Sequence, residues 1–324
     1  MKKRTIFLII LFIVCVILFA FVSSYYFFLK DQKESLNVES KTVSSIEDNH
    51  SEEIYNECIN EPYKMDNLDE KFNELFSKYE SYGVSVSMTE INNNYSYYLN
   101  ENKVYYSAST AKIFMAIYLM EQAREGNIDW DSTCTYLPQD KREASPYTNT
   151  HELNSEIKIS DLLTYFLSVS DNAAYYILVR VIGCDTLNAY FSEKYNIELN
   201  YVSTAPFIYN YTATFANQSL QILYNDLQID DKYSELVRNA MNNNEENSLN
   251  FDNVTFLHKY GEFYTTFHDI GIYDSDNPYL ISVLTTLGYQ ENDSVVTQIS
   301  KDIYTLYQEN LTAKENYCKT KSES

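Results

Sequence analysis

The sequence has 324 residues and a formal charge of −22, from 24 Lys and Arg against 46 Asp and Glu. Phosphate backbones are held by stripes of Lys and Arg, which this chain lacks, so nucleic acid is excluded as a partner. Four histidines and five dispersed cysteines, with no C-x-x-C pair, argue against a metal centre. No cofactor is expected.

Met1-Lys2-Lys3-Arg4 precedes a charge-free run of 25 residues from Thr5 to Leu29, long enough to cross a bilayer. Positive charge before the run keeps the N-terminus inside and sends the rest of the chain out. The run ends in the bulky Tyr25-Tyr26-Phe27-Phe28-Leu29, not in the small residues of a cleavage site. Residues 1–30 are therefore expected to be a cytoplasmic cap and a single-pass, uncleaved membrane anchor. A lipoprotein reading at Cys15 is poor, because the apolar run continues past it. Residues 31–64 are polar and acidic and predict a flexible extracellular tether. Residues 65–312 would form the folded domain and residues 313–324 a polar tail. In an exported chain Cys58, Cys134, Cys184 and Cys318 allow two disulfides, whose pairing the sequence leaves open.

Leu68, Phe72, Leu75, Phe76 and Tyr79 mark an amphipathic helix over Asp66–Tyr79. Val84–Ile91 and Tyr95–Leu99 flank Asn92-Asn93-Asn94 as a hairpin. Ser109–Arg124 is apolar and free of Gly and Pro, which predicts a buried helix. Ile159–Ile182 is expected to be helical around Ser170, followed by helices over Phe215–Gln228 and Asp231–Asn243. Val254–Leu257, Asp269–Tyr273 and Leu280–Thr286 read as strands and Val295–Glu309 as a closing helix. The fold class is α/β: an antiparallel sheet built from both ends of the chain, flanked by helices, with an all-helical lobe inserted.

No Ser-His-Asp arrangement is evident, so a serine nucleophile here would need another base. Ser109 and Lys112 lie three apart at a helix start, on one face, with the helix dipole favouring negative charge at the attacking oxygen. Ser170-Asp171-Asn172 follows 61 residues later in the helical lobe. Ser170 can relay a proton, and the Asn172 amide can bond both Lys112 and a substrate amide. Lys259-Tyr260-Gly261 lies at the end of a β run, where Lys259 can hold a substrate carboxylate and Gly261 lets a substrate backbone approach. The amides of Ser109 and Glu262 can form an oxyanion hole. Two decoys repeat the patterns. Ser155-Glu156-Ile157-Lys158 sits in a polar stretch, and Ser275-Asp276-Asn277-Pro278 reads as a turn. His258 and His268 are read as structural.

The three motifs, in this order, resemble the S-x-x-K, S-D-N and K-T-G set of penicillin-recognising serine hydrolases, above all the class A β-lactamase catalytic domain, over about residues 66–310. The resemblance implies Ser109 as nucleophile, Lys112 as its activator, Ser170 as proton relay and Lys259 as carboxylate anchor. It implies β-lactams or peptidoglycan stem peptides as substrates, met outside the cell. The chain departs from the family at Tyr260, where Thr is usual. It also lacks an acid from Leu199 to Thr212, where a loop glutamate would hold the deacylating water. Glu198 is the nearby candidate, but it comes too early. Slow deacylation is therefore expected. A DD-carboxypeptidase- or esterase-like hydrolase, or a non-catalytic cell-wall-binding relative, are the alternatives.

Overall fold

A computed structural model describes residues 22–30, 51–93, 95–202, 206–244, 248–287 and 289–323. The chain divides into two compact units. The smaller joins the described residues up to Pro62 with those from Thr312 onward. The larger spans Tyr63–Leu311.

In the smaller unit residues 22–30 and 51–60 are helical. Cys58 is bonded to Cys318 with Cα atoms 5.5 Å apart, while Cys134 and Cys184 are buried and free. Part of the expected tether is thus ordered helix, and the expected polar tail is helical up to Ser322. The disulfide supplies the anchoring that the polar composition did not suggest. Among the described residues no helix is long and apolar enough to cross a membrane. Most of the expected anchor, including Cys15, lies outside the described residues.

The larger unit is built on a five-stranded antiparallel sheet, β1 (Ser85–Glu90), β2 (Ser96–Leu99), β5 (Leu257–Phe263), β6 (Thr266–Tyr273) and β7 (Tyr279–Thr285), in the order β2-β1-β7-β6-β5. The N-terminal hairpin pairs with the last strand, Val86 opposite Val283, so both ends of the domain share one sheet. Helix α1 (Leu68–Ser77) buries Leu68, Phe72, Leu75 and Phe76, an apolar stripe at helical spacing. That stripe shares a core with Val296, Ile299 and Ile303 of α8 (Tyr289–Ser322) and with Val86 and Val283 of the sheet.

The opposite core contains the helical lobe. Its axis is α2 (Lys112–Arg124), in which every residue from Lys112 to Ala123 is buried. The lobe adds a two-stranded sheet, β3 (Thr133–Thr135) and β4 (Glu156–Lys158), with α3 (Ile159–Ser168), α4 (Asn172–Ile182) and α5 (Cys184–Tyr195). It continues through α6 (Ala213–Leu227) and α7 (Lys232–Asn242). β3, β4 and α5 were not anticipated.

Two expectations require correction. The helix expected over Ile159–Ile182 is broken at Ser170, whose φ of 56° is left-handed. Asp171 then caps α4, its carboxylate accepting from Ala174 N at 2.9 Å. The strand expected at Val254–Leu257 runs instead over Leu257–Phe263, so Lys259 and Gly261 are inside it. Its polar residues conceal a strand whose inner positions serve the site.

Candidate active site

Ser109 lies in a 3-10 turn, Ala108–Ala111, that runs directly into α2. Three attachments fix this turn. Ser107 N donates to Ile208 O (2.8 Å) and Ile208 N to Ser107 Oγ (3.0 Å). Thr110 Oγ1 donates to Ser107 O at 2.6 Å. The ring of His268 reaches Tyr106 O through Nε2 at 2.9 Å. Burial pushes the His268 pKa down to about 4, so near pH 7 the ring is neutral and Nε2–H is the donor.

Lys112 is fully buried one turn beyond Ser109. Its Nζ donates to Ser170 O (2.6 Å), Asn172 Oδ1 (2.8 Å) and Ser170 Oγ (3.2 Å). The left-handed backbone at Ser170 turns carbonyl and hydroxyl toward the same amine. Burial holds the Lys112 pKa well below its ordinary value. The nearby Lys259 adds to the depression and Asp171 opposes it. In its neutral form, which burial favours, the amine donates two of these bonds and offers its lone pair as a base one turn beyond Ser109.

Asn172 spans the lobe side. Its Oδ1 accepts from Lys112, and its Nδ2 donates to Glu143 O at 3.2 Å. Asp171 is fully buried and accepts from Thr148 N (2.9 Å), Tyr147 N (3.2 Å) and Ala174 N. It draws the 147–148 segment against the motif, a positioning role that the sequence reading left unassigned.

The strand side is β5, at the edge of the sheet. A Cβ on Gly261 would come within 2.8 Å of both Ser109 N and Thr110 N. The glycine therefore admits the nucleophile turn against the strand. Lys259 is fully buried. Its Nζ donates to Tyr260 O at 2.8 Å and lies 4.0 Å from the Tyr260 ring centroid. His258, also buried, has Nδ1 3.0 Å from both carboxylate oxygens of Asp269.

A cavity of about 360 Å³ opens on Ser109. Asn172, Glu143 and Arg142 line it from the lobe and Glu262 and Phe263 from the strand, with Tyr106 and Phe207 between. Of the residues expected to bind substrate, Asn172 and Glu262 reach this surface, whereas Lys259 and Gly261 lie behind it. Glu198 is exposed and is not among the lining residues. Of the decoys, Glu156–Lys158 forms β4, and Ser275 Oγ bonds Asn277 O at 2.9 Å within a turn. Among the described residues no cluster of His, Cys, Asp and Glu is arranged to hold a metal.

A serine at a helix start, a buried amine one turn on, a Ser-Asp-Asn lobe segment and a lysine on the edge strand define a β-lactamase-like serine hydrolase. The family model of the beta-lactamase enzyme family matches residues 67–307, and the chain belongs to that family. Solved structures agree on the fold. PBP-A is 18% identical with a TM-score of 0.64, covering 77% of this chain and 99% of its own. A β-lactamase from Xanthomonas campestris pv. campestris is 16% identical with a TM-score of 0.65, covering 74% and 99%. The class A β-lactamase of the last common ancestor of Gram-negative bacteria is 18% identical with a TM-score of 0.63, covering 74% and 99%. A PBP-A mutant is described as an acyl-enzyme complex with penicillin G. No curated protein matches the sequence.

Proposed function

We propose that the protein is a membrane-anchored acyl-enzyme former that attacks β-lactams or cell-wall peptides through Ser109 and releases the acyl group slowly. One observation carries the reading: the fully buried Lys112 amine, directed by three hydrogen bonds at the Ser170–Asn172 segment. Lys112 Nζ takes the Ser109 Oγ proton as Oγ bonds to the carbonyl carbon. The oxyanion is received by the amides of Ser109 and Glu262. As the carbon–nitrogen bond breaks, the proton passes from Lys112 through Ser170 Oγ to the leaving nitrogen. The acyl group remains as an ester on Ser109.

Slow release is supported by what lies under the nucleophile turn. Tyr201 OH donates to Ala111 O at 3.0 Å, and Tyr175 sits with its ring centroid 5.5 Å from Lys112 Nζ. Both phenols are buried, and burial raises the pKa of each, so they stay protonated and are poor bases. Glu198 faces solvent.

The N-terminal charge pattern and the exposed apolar helix at Val22–Leu29 favour single-pass anchoring in the cell membrane with the domain outside. The Cys58–Cys318 disulfide fits an oxidising compartment.

The test is intact-mass analysis of the protein mixed with penicillin, then turnover of a chromogenic cephalosporin. The reading expects one adduct on Ser109, absent in Ser109→Ala, and a single-equivalent burst followed by a slow phase. An adduct that survives Ser109→Ala overturns the nucleophile assignment, and rapid linear turnover overturns slow release.

A further inference from the structure

Four residues lining the Ser109 cavity are aromatic, and they come from separate parts of the fold. Tyr106 precedes the nucleophile turn, Tyr176 lies in α4, Phe207 in the segment leading to α6 and Phe263 at the end of β5. Their rings follow one another at contact distance. Tyr176 lies 6.4 Å from Phe207, Phe207 5.7 Å from Tyr106 and Tyr106 5.0 Å from Phe263, centroid to centroid. Tyr106 is also 5.1 Å from the exposed Tyr209. Successive rings are tilted by 48° to 59°, so none lies flat on the next.

Backbone bonds hold this wall in place. Tyr105 N donates to Tyr211 O (2.8 Å) and Tyr211 N to Tyr105 O (3.1 Å). With the Ser107–Ile208 bonds, the segments bearing Tyr106, Phe207 and Tyr209 are tied together on both sides of Tyr106. A ligand entering here meets a wall that is already ordered, which lowers the cost of binding. The outer edge is kept aromatic against local preference. Tyr264 is the first central residue of the two-residue loop joining β5 to β6, with a φ of 52° and 85% of its surface exposed. That left-handed position suits glycine and is costly for a bulky side chain. The Tyr264 ring stands edge-on to Phe263, 4.4 Å away, and extends the array outward. The facing wall is polar, with Asn172 and Glu143 on the lobe. A donor with its carbonyl at Ser109 thus has polar partners on one side and rings on the other.

We propose that the site selects acyl donors whose acyl arm carries an aromatic ring, packed against Tyr106, Phe207 and Phe263 while Ser109 attacks. This deepens the functional reading above and rests on Ser109 as the acylated residue. An aromatic arm is preferred to a saturated one of the same size, because the tilted wall rings offer it edge-to-face partners at the spacing aromatic pairs adopt.

The test uses three nitrophenyl esters whose acyl groups are phenylacetyl, cyclohexylacetyl and acetyl. In each, the ester C–O bond breaks, Ser109 Oγ takes the acyl group and the serine proton leaves with the nitrophenol. Acylation of the full chain is followed by nitrophenol release and intact mass. Each rate is divided by that of the same ester with hydroxide, which removes intrinsic reactivity. The phenylacetyl ester should acylate Ser109 about tenfold or more faster than the acetyl ester, the order expected for burying one ring against apolar surface. It should exceed the cyclohexylacetyl ester by about threefold, the order of an aromatic pair beyond its area. Phe207→Ala and Phe263→Ala should each lower the phenylacetyl-to-acetyl ratio, and the double variant should bring it near one. Because the readout is a ratio within each variant, a general loss of activity does not mimic the effect. If the acetyl ester labels Ser109 but the ratio is near one, or is unchanged in the double variant, the aromatic proposal falls alone. It falls likewise if the cyclohexylacetyl ester reacts as fast as the phenylacetyl ester. If none of the esters labels Ser109, the nucleophile reading falls and takes the proposal with it.

Discussion

Replacing Lys112 with methionine separates the chemistry of the amine from the space it fills. Methionine is close in length and flexible enough to follow the same path. The amine donates to Ser170 O, Ser170 Oγ and Asn172 Oδ1, all within 3.2 Å. Its loss leaves buried acceptors short of a donor, at about 1–3 kcal/mol each. Against this, the variant no longer has to give up a proton on folding at pH values below the amine's ordinary pKa, a cost that opposes the loss. The two effects offset, so stability should change by no more than about 2 kcal/mol. Acylation should change far more, because a positioned general base is worth about 10² to 10⁴ in rate. The pH profile supplies the sign. The folded pKa lies below the ordinary 10.5, so between the two values the unfolded chain binds a proton that the native state does not. Wild-type stability therefore rises with pH across that window. Acylation needs the neutral amine, so it is complete above the folded pKa and is lost as pH falls through it. Lys112→Met should remove both dependences. Penicillin acylation timed by quenched-flow mass analysis, with denaturant melts across pH, checks them together. An acylation rate within threefold of wild type, or the same acid limb in the variant, would refute Lys112 as the base.

Gly261→Ala should cost about 1–3 kcal/mol and slow acylation, because the new methyl meets backbone nitrogens that cannot swing aside; denaturant melts and adduct timing check this. Asp171→Ala should unpair two buried N–H groups and a part-buried one, lowering stability by about 3 kcal/mol, and Asp171→Asn should recover part of the loss in the same melts. Cys58→Ser with Cys318→Ser should lower stability by up to about 5 kcal/mol, the entropic limit for a cross-link closing 260 residues, while penicillin still labels Ser109 at low temperature.

Elements with strong apolar periodicity were legible in the sequence. The stripe of α1, the unbroken apolar run of α2 and the terminal β6–β7 strands follow from side-chain spacing alone. The motif order also placed Ser109, Lys112, Ser170 and Asn172 in one site before any geometry was known. The failures share a cause: local pattern yielded to tertiary demand. β5 contains His258, Lys259, Gly261 and Glu262, a sequence that does not alternate apolar and polar, because a buried Asp269, the Lys112 neighbourhood and the nucleophile turn each claim one position. The break at Ser170 was hidden because buried apolar residues at helical spacing, Leu162, Leu163 and Phe166 before it and Ala174, Ile177 and Leu178 after it, continue on both sides. Its signal was Asp171, an N-cap residue three before Ala174 N. The disulfide was beyond sequence reach because its cysteines lie 260 residues apart.

The energetics of the two buried lysines connect the fold to its chemistry. Each amine sits where water is absent, and their mutual repulsion makes charging both costly. The fold resolves the conflict unequally. Asp171, while accepting from the amides of Tyr147, Thr148 and Ala174, favours a charged Lys112, but burial remains the larger influence. Burial therefore lowers the proton affinity of Lys112, the amine one turn beyond Ser109. Two of these amide bonds, from Tyr147 and Thr148, hold the 147–148 segment against the motif, and the third caps α4. Asp171 thus serves two ends at once: it satisfies three backbone amides, and its charge limits how far burial lowers the Lys112 pKa.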